Sequence, residues 1–258
     1  LPAEKPENDV DLELHLWEAS GTVGSVFNPR TREVTAAAKT PGLAAASVGI
    51  TQAAVGEAAE LAPFAGMPPE RIFMPDSAAS CEAALRELLA WPGPIGFDTE
   101  SKPTFRVGEH SDGPHLIQFA TPQRAYLLRV AIAECLPVAR AVLENPRLVK
   151  LGFGLKSDRS RLQGRLGIAL RAGIDLGSVL RYEGRKGQVG LRGALAALRQ
   201  EAIAKSRRLS TSNWASLQLS EAQQRYAADD AYGALQVFAA LEAEVQQRLL
   251  ALARTPER

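Results

Sequence analysis

Two acidic side chains, Asp98 and Glu100, lie two positions apart in the segment PIGFDTE. If that segment is a strand, alternation sends Ile95 and Phe97 to one face and Gly96, Asp98 and Glu100 to the other. Two carboxylates on one face repel each other unless a cation lies between them. A hard divalent ion such as Mg²⁺ or Mn²⁺ suits the pair, because it prefers carboxylate oxygens and keeps positions open for water or phosphate. Two solvated acids at a strand end are the plainer alternative. A second pair, Tyr226 and Asp230 in YAADDA, has the i, i+4 spacing that directs a hydroxyl and a carboxylate from the same side of a helix. The neighbouring Asp229 points about 100° away around that helix and is the weaker candidate.

The elements that would position these groups follow from periodicity. SAASCEAALRELLA has apolar residues at helical spacing and stops at Pro92-Gly93-Pro94, so the strand carrying Asp98 begins just after a helix. HLIQFA and AYLLRV, separated by PQR, complete a three-strand meander. A helix near 133–144 precedes the strand RLVKLGF, which should run parallel to the first, and LKSDRSRLQGRLG reads as the next helix. Beyond Asp175 the pattern is helical: near 176–182, across LRGALAALRQ, and from about Glu221 to Ala253. Ser220 with Gln223 has the form of a capping box at the start of that last stretch. Alternation of this kind specifies a mixed sheet flanked by helices.

Composition narrows the function classes. The 258 residues accommodate one α/β domain plus an extension, divided here into 1–70, Ala-rich with no firm period, and 71–258. Within the first part only VDLELHLW reads as a strand and AAVGEAAELA as a short helix. No apolar run approaches the roughly 20 residues that cross a bilayer, and the first residues lack a secretory pattern, so a cytoplasmic or otherwise intracellular protein is expected. Cys81 and Cys135 lie far apart in no C-x-x-C spacing, so the sequence supports neither a disulfide framework nor a thiolate zinc site, and both read as buried structural thiols. The net charge of +1 conceals a basic block: 15 Lys and Arg between Arg147 and Trp214 oppose four acids, a surplus of +11 that leaves −10 elsewhere. A polyanion-binding face needs such a block.

The ordered set FDTE at 97–100, KLGFGLKSD at 150–158, LRGALAAL at 191–198, SNWA at 212–215 and YAADDA at 226–231 resembles the DEDDy class of 3′→5′ exonucleases. The similarity is greatest to the branch containing the Werner-syndrome exonuclease domain and its bacterial relatives, with ribonuclease D a more distant cousin. It covers roughly residues 70–245. The resemblance implies an α/β, RNase H-like fold with a mixed five-stranded sheet flanked by helices. It implies that Asp98, Glu100, Asp158 and Asp230 ligate two divalent metals, Mg²⁺ or Mn²⁺, and that Tyr226 orients the attacking water. Two cations about 3.5–4 Å apart can activate a water and stabilise both oxygens of an in-line displacement. Two departures stand out: Gly154 occupies a position where the wider class often has Asn, and Ser101-Lys102-Pro103 follows Glu100 where some relatives place an aromatic.

For the substrate, a 3′ end of single-stranded or partly duplex nucleic acid with DNA favoured and RNA possible, the expected phosphate contacts are Lys102, Lys156, Lys205, Arg207 and Arg208. Ser212, Asn213 and Trp214 are expected to shape the cleft wall, with a core anchor as the alternative for Trp214. Asp175 is expected to cap the helix after it, His110 and His115 to serve a loop, and Gln118 to occupy a sheet face. No protein partner is readable. The competing functions are a ribonuclease D-like RNA trimmer, a nucleic-acid binder without catalysis, and a small-nucleotide phosphoesterase, the last disfavoured by the basic block.

Overall fold

The computed structural model describes residues 47–50, 61–104, 113–183, 187–204 and 206–255. The strand expected at VDLELHLW and nearly all of the helix expected at AAVGEAAELA lie outside these residues, as do His110 and Lys205. The chain divides after Thr40, and everything described belongs to the second unit.

Helix α1 (Ala78–Ala90) starts where the sequence requires. The Ser77 hydroxyl accepts from the Ser80 amide while the Ser80 side chain reaches back to the Ser77 amide, a reciprocal cap. Then come β4 (Ile95–Glu100), β5 (Leu116–Ala120) and β6 (Ala125–Arg129), the expected meander. They are preceded in the chain by three short strands, β1 (Val48–Ile50), β2 (Ala62–Pro63) and β3 (Ile72–Phe73). Helix α2 (Cys135–Leu143) leads to β7 (Lys150–Gly152), which runs parallel to β4 as the intervening helix demands. After α3 (Leu155–Arg161) comes β8 (Gly173–Asp175), parallel to β7.

The main sheet has six strands in the order β3-β6-β5-β4-β7-β8, one more than expected. The addition is β3, whose two residues pair in parallel with Ala125 and Tyr126. Phe73 meets the Tyr126 ring edge-on at 6.3 Å, and the Arg124 guanidinium lies 5.4 Å from the centre of the Phe73 ring. A two-residue edge has no period to read; its neighbours create it.

Three further expectations are corrected. The helix expected over 176–182 is only α4 (Leu176–Val179), and Leu180–Tyr182 form β9, paired with β1. The helix expected across LKSDRSRLQGRLG ends at Arg161 and passes into a π-helical turn, Leu162–Leu166, closed by Gly167 at φ 59°. The C-terminal stretch breaks into α7 (Glu221–Ala239) and α8 (Ala243–Arg254). There Gln246 Nε2 donates to the Ala239 and Leu241 carbonyls, satisfying acceptors that an unbroken helix would have used. The remaining elements are α5 (Leu191–Arg199), β10 (Glu201–Ala202) and α6 (Arg207–Ser210), with β10 parallel to β2. Thus β1 and β2, both before residue 70, each pair with a strand of the 71–258 segment.

The sheet has two unlike faces. Ile95, Phe97, Ile117, Phe119 and Leu128 pack with α1 and α2 in one apolar layer. On the other face α7 lies across β4 and β5, and Leu116 and Leu127 meet Ala227, Ala228 and Trp214. A Cβ at Gly96 would fall 1.9 Å from the Ala231 carbonyl oxygen, so only glycine lets the α7 backbone come this close to β4.

Candidate active site

The close approach at Gly96 is what assembles the acidic residues. Gly96, Asp98 and Glu100 share the face that α7 covers, and Asp230 is the residue before Ala231, so seating α7 on Gly96 brings Asp230 over the strand acids. One carboxylate oxygen from each of Asp98, Glu100 and Asp230 lies within 4.8 Å of the others. Asp158 enters from α3, where its carboxylate accepts a hydrogen bond from the Thr99 hydroxyl. Gly154, at φ 73°, starts α3, and its amide donates to Asp175 Oδ1 at 3.0 Å. The glycine found here in place of Asn thus occupies a left-handed position that favours it.

The electrostatics are those of a crowded anionic site. Burial, followed by Asp230, Asp158 and Glu100, pushes Asp98 well above the usual carboxylate range. Burial with Asp230 and Asp158 raises Glu100 to about 8. Asp230 rises to about 7 through burial, opposed by hydrogen bonding from Tyr226. Asp158 is raised by burial, with the Thr99 hydrogen bond and Arg161 opposing. Tyr226 rises above its ordinary value by burial first and then by Asp230, Glu100 and Asp98, which places its hydroxyl among the acids. Without a cation Glu100 and Asp230, at about 8 and about 7, retain protons near neutrality; a divalent ion relieves the repulsion and favours the ionised form. The all-oxygen donor set fits a hard divalent cation.

The other candidates sort by geometry. Asp229 is turned away as its helical angle requires, and accepts the Met67 amide at 2.8 Å. A Cβ on Gly66 would fall 2.3 Å from Asp229 Oδ1, so this acid holds the segment before residue 70 against α7. Asp175 caps α4 by accepting from the Gly177 amide at 3.0 Å. His115 Nδ1 accepts from the Lys102 amide at 3.2 Å, tying the loop after β4 to the residue before β5. Gln118 faces Asp98 across the β4–β5 ladder and is fully buried, its amide without a hydrogen-bond partner among the described residues.

Two substrate expectations are corrected. Trp214 is 2% exposed and its ring lies 6.0 Å from that of Tyr226; it offers no face to a base and instead backs the tyrosine. Lys156 is exposed on α3, but two positions from Asp158 on a helix means the far side. Arg161, three positions from Asp158, lies on the same side of α3 as that acid. Its charge lowers both Glu100 and Asp158, and it is exposed to solvent at the end of α3. The i, i+3 spacing was visible in the sequence, but nothing singled out Arg161 among 15 basic residues until α3 was placed beside β4.

Several other cations of the basic block serve the fold. Lys150 is buried and donates to the Asn145 and Leu148 carbonyls, Arg199 pairs with Glu201 at 2.9 Å, and Arg181 donates to the Gly177 and Leu180 carbonyls. Arg208, Ser212 and Asn213 lie together with Ser206, Ser216, Ser220, Ala222 and Gln223 around a surface cavity of about 620 Å³. Ser212 accepts from Gln223 Nε2 at 3.0 Å. Arg207 is exposed on α6 outside that lining. Ala222, Tyr226 and Asp230 succeed one another at i, i+4 along α7, so the cavity and the acids share one side of a helix.

A family model described as 3′-5′ exonuclease matches residues 72–246. The chain belongs to the 3′-5′ exonuclease family. It is 26% identical over 146 residues to the Mus musculus bifunctional 3′-5′ exonuclease/ATP-dependent helicase WRN, an alignment covering 56% of this chain and 10% of that protein. It is 26% identical over 153 residues to an Arabidopsis thaliana 3′-5′ exonuclease, covering 57% and 52% respectively. The chain therefore spans a tenth of one of these relatives and about half of the other. Among solved structures, the Aedes aegypti Nibbler EXO domain superposes with a TM-score of 0.58 at 23% identity, covering 72% of this chain and 97% of that domain. That likeness is one of fold, the RNase H-like arrangement of a mixed sheet between helices. No helix among the described residues is long and apolar enough to cross a membrane.

Proposed function

We propose that this protein removes nucleotides one at a time from the 3′ end of a nucleic-acid strand by metal-dependent hydrolysis of the phosphodiester bond. The observation that carries the reading is the meeting of Asp98, Glu100 and Asp230 within 4.8 Å, beside Asp158, in a member of this family. These four acids hold two divalent ions, Mg²⁺ or Mn²⁺, which when bound supply a nucleophilic water at neutral pH and neutralise charge at the scissile phosphate. Tyr226, backed by Trp214, fixes the direction of attack by hydrogen bonding to the water; it remains protonated, so it contributes alignment rather than base strength. Arg161 meets the phosphate that enters beside Glu100 and Asp158. The cavity containing Arg208, Ser212 and Asn213 holds the strand upstream of the cut, with Lys102, Lys205 and Arg207 as further phosphate contacts.

DNA with a single-stranded 3′ end is the favoured substrate. RNA is the second reading, favoured by the hydroxyls and amides lining the cavity, which can bond a 2′-hydroxyl. Matched DNA and RNA strands labelled at the 5′ end, digested with Mg²⁺ or Mn²⁺, test both. A ladder of shortening labelled products that vanishes with chelator is expected. Release of the labelled mononucleotide first, or undiminished cutting in excess chelator, overturns the proposal; a lone RNA ladder selects the second reading.

A further inference from the structure

Cys81 lies within α1 and Cys135 opens α2, 54 positions apart in the chain, yet their sulfurs are 3.4 Å apart. Each is buried, at 2% and 1% exposure, in the apolar layer with Phe97, on the face of the sheet turned away from the acids. The nuclease chemistry uses neither. Among the described residues no third His, Cys, Asp or Glu joins the pair in a group able to hold an ion. Cys135 Sγ contacts the Pro75 carbonyl at 3.6 Å as a donor, which leaves its lone pairs for the Cys81 side.

We propose that Cys81 and Cys135 are a disulfide-forming pair, oxidised by a water-sized peroxide to give a covalent tie between α1 and α2 beneath the sheet. The sulfurs need approach by only about 1.4 Å to reach a disulfide bond length. Hydrogen peroxide takes two electrons from each pair of thiols. One sulfur, as its anion, attacks the O–O bond and becomes S–OH while the other oxygen leaves as water. The second sulfur then displaces the hydroxyl, which departs as a second water with that thiol's proton. A helix N-terminus ordinarily favours a thiolate, but here burial outweighs it, and with Cys81 beside it the Cys135 thiol is pushed up to about 12. Cys135 therefore rests as a thiol, and oxidation through its anion is slow and quickens with rising pH. Occlusion also selects the oxidant, since a tripeptide disulfide has no room to form a mixed disulfide at a sulfur 2% exposed. Once formed, the bond closes a loop containing β4, β5 and β6, and restricts the unfolded chain.

The test uses the full chain treated with hydrogen peroxide or with glutathione disulfide, followed by intact mass, non-reducing electrophoresis and thermal melting. The expected result with peroxide is loss of two hydrogen masses, faster migration, and a raised melting temperature that returns to its starting value with dithiothreitol. With glutathione disulfide no adduct is expected. Cys135→Ala and, independently, Cys81→Ala should each abolish the crosslink. Addition of oxygen without a crosslink, a glutathione adduct on either cysteine, or no reaction even at pH 9 overturns the proposal.

Discussion

The two faces of the central sheet present opposite solutions to the same geometry. Along β4, Ile95 and Phe97 point into a continuous apolar layer under α1 and α2, where burial of each large side chain stabilises the fold by about 1.5–3 kcal/mol. One residue out of phase, Gly96, Asp98 and Glu100 face α7, and here burial works against stability because it crowds like charges. The apolar layer under α1 and α2 and the acidic cluster under α7 are thus built from the odd and even positions of one strand. On the α7 side the crowded acids sit beside a second apolar cluster of Leu116, Leu127, Trp214, Ala227 and Ala228, which offsets their cost.

The contrast can be tested by changing one face at a time. Asp98→Ala or Asp230→Asn should lower hydrolysis by roughly 10³-fold or more, since each removes a ligand from a charge-stabilising centre. The melting temperature in chelator should be unchanged or raised. A comparable fall in both readouts would show that the acids belong to the scaffold after all. Tyr226→Phe should lower kcat by about 10²-fold with little change in KM, measured on a short labelled strand. Gly96→Val sharpens the contrast from the other direction. By forcing α7 off β4 it should cost about 3 kcal/mol or more in denaturant titration and abolish metal-dependent cutting together with stability.

Smaller effects follow from charge. Glu100 at about 8 and Asp230 at about 7 lie above their unfolded values near 4.5 and 3.8. A folded pKa above the unfolded one means the native state binds the extra proton, so the stability these groups confer is complete below the unfolded values and is lost as pH rises through 7 to 8. Thermal melts in chelator should therefore fall between pH 5 and pH 8.5, and Mn²⁺ should reverse the fall; a flat profile would contradict the crowding of the α7 face. Arg161→Ala should raise KM by about tenfold with kcat little altered, and Arg161→Lys should restore part of the loss. An unchanged KM would remove Arg161 from the substrate path.

Much of this was legible from the residues. The alternation in PIGFDTE determined that Asp98 and Glu100 share a face, the Ser220–Gln223 box determined where α7 begins, and the angle of Asp229 from Asp230 determined which of the two acids turns inward. These are local rules, fixed by strand and helix periods that operate wherever the segment is placed. Tertiary structure decided the rest. It made β3 a strand by laying it on β6, and divided 176–182 between a short helix and a strand by pairing Leu180–Tyr182 with Val48–Ile50. It put Trp214 beside Tyr226, brought the charge of Arg161 near Glu100 and Asp158, and brought Cys81 against Cys135. Each of these outcomes depends on which distant segment lies alongside. A contact such as that between the two sulfurs, 54 positions apart, has no period of its own, so it exists only once the chain has closed around it.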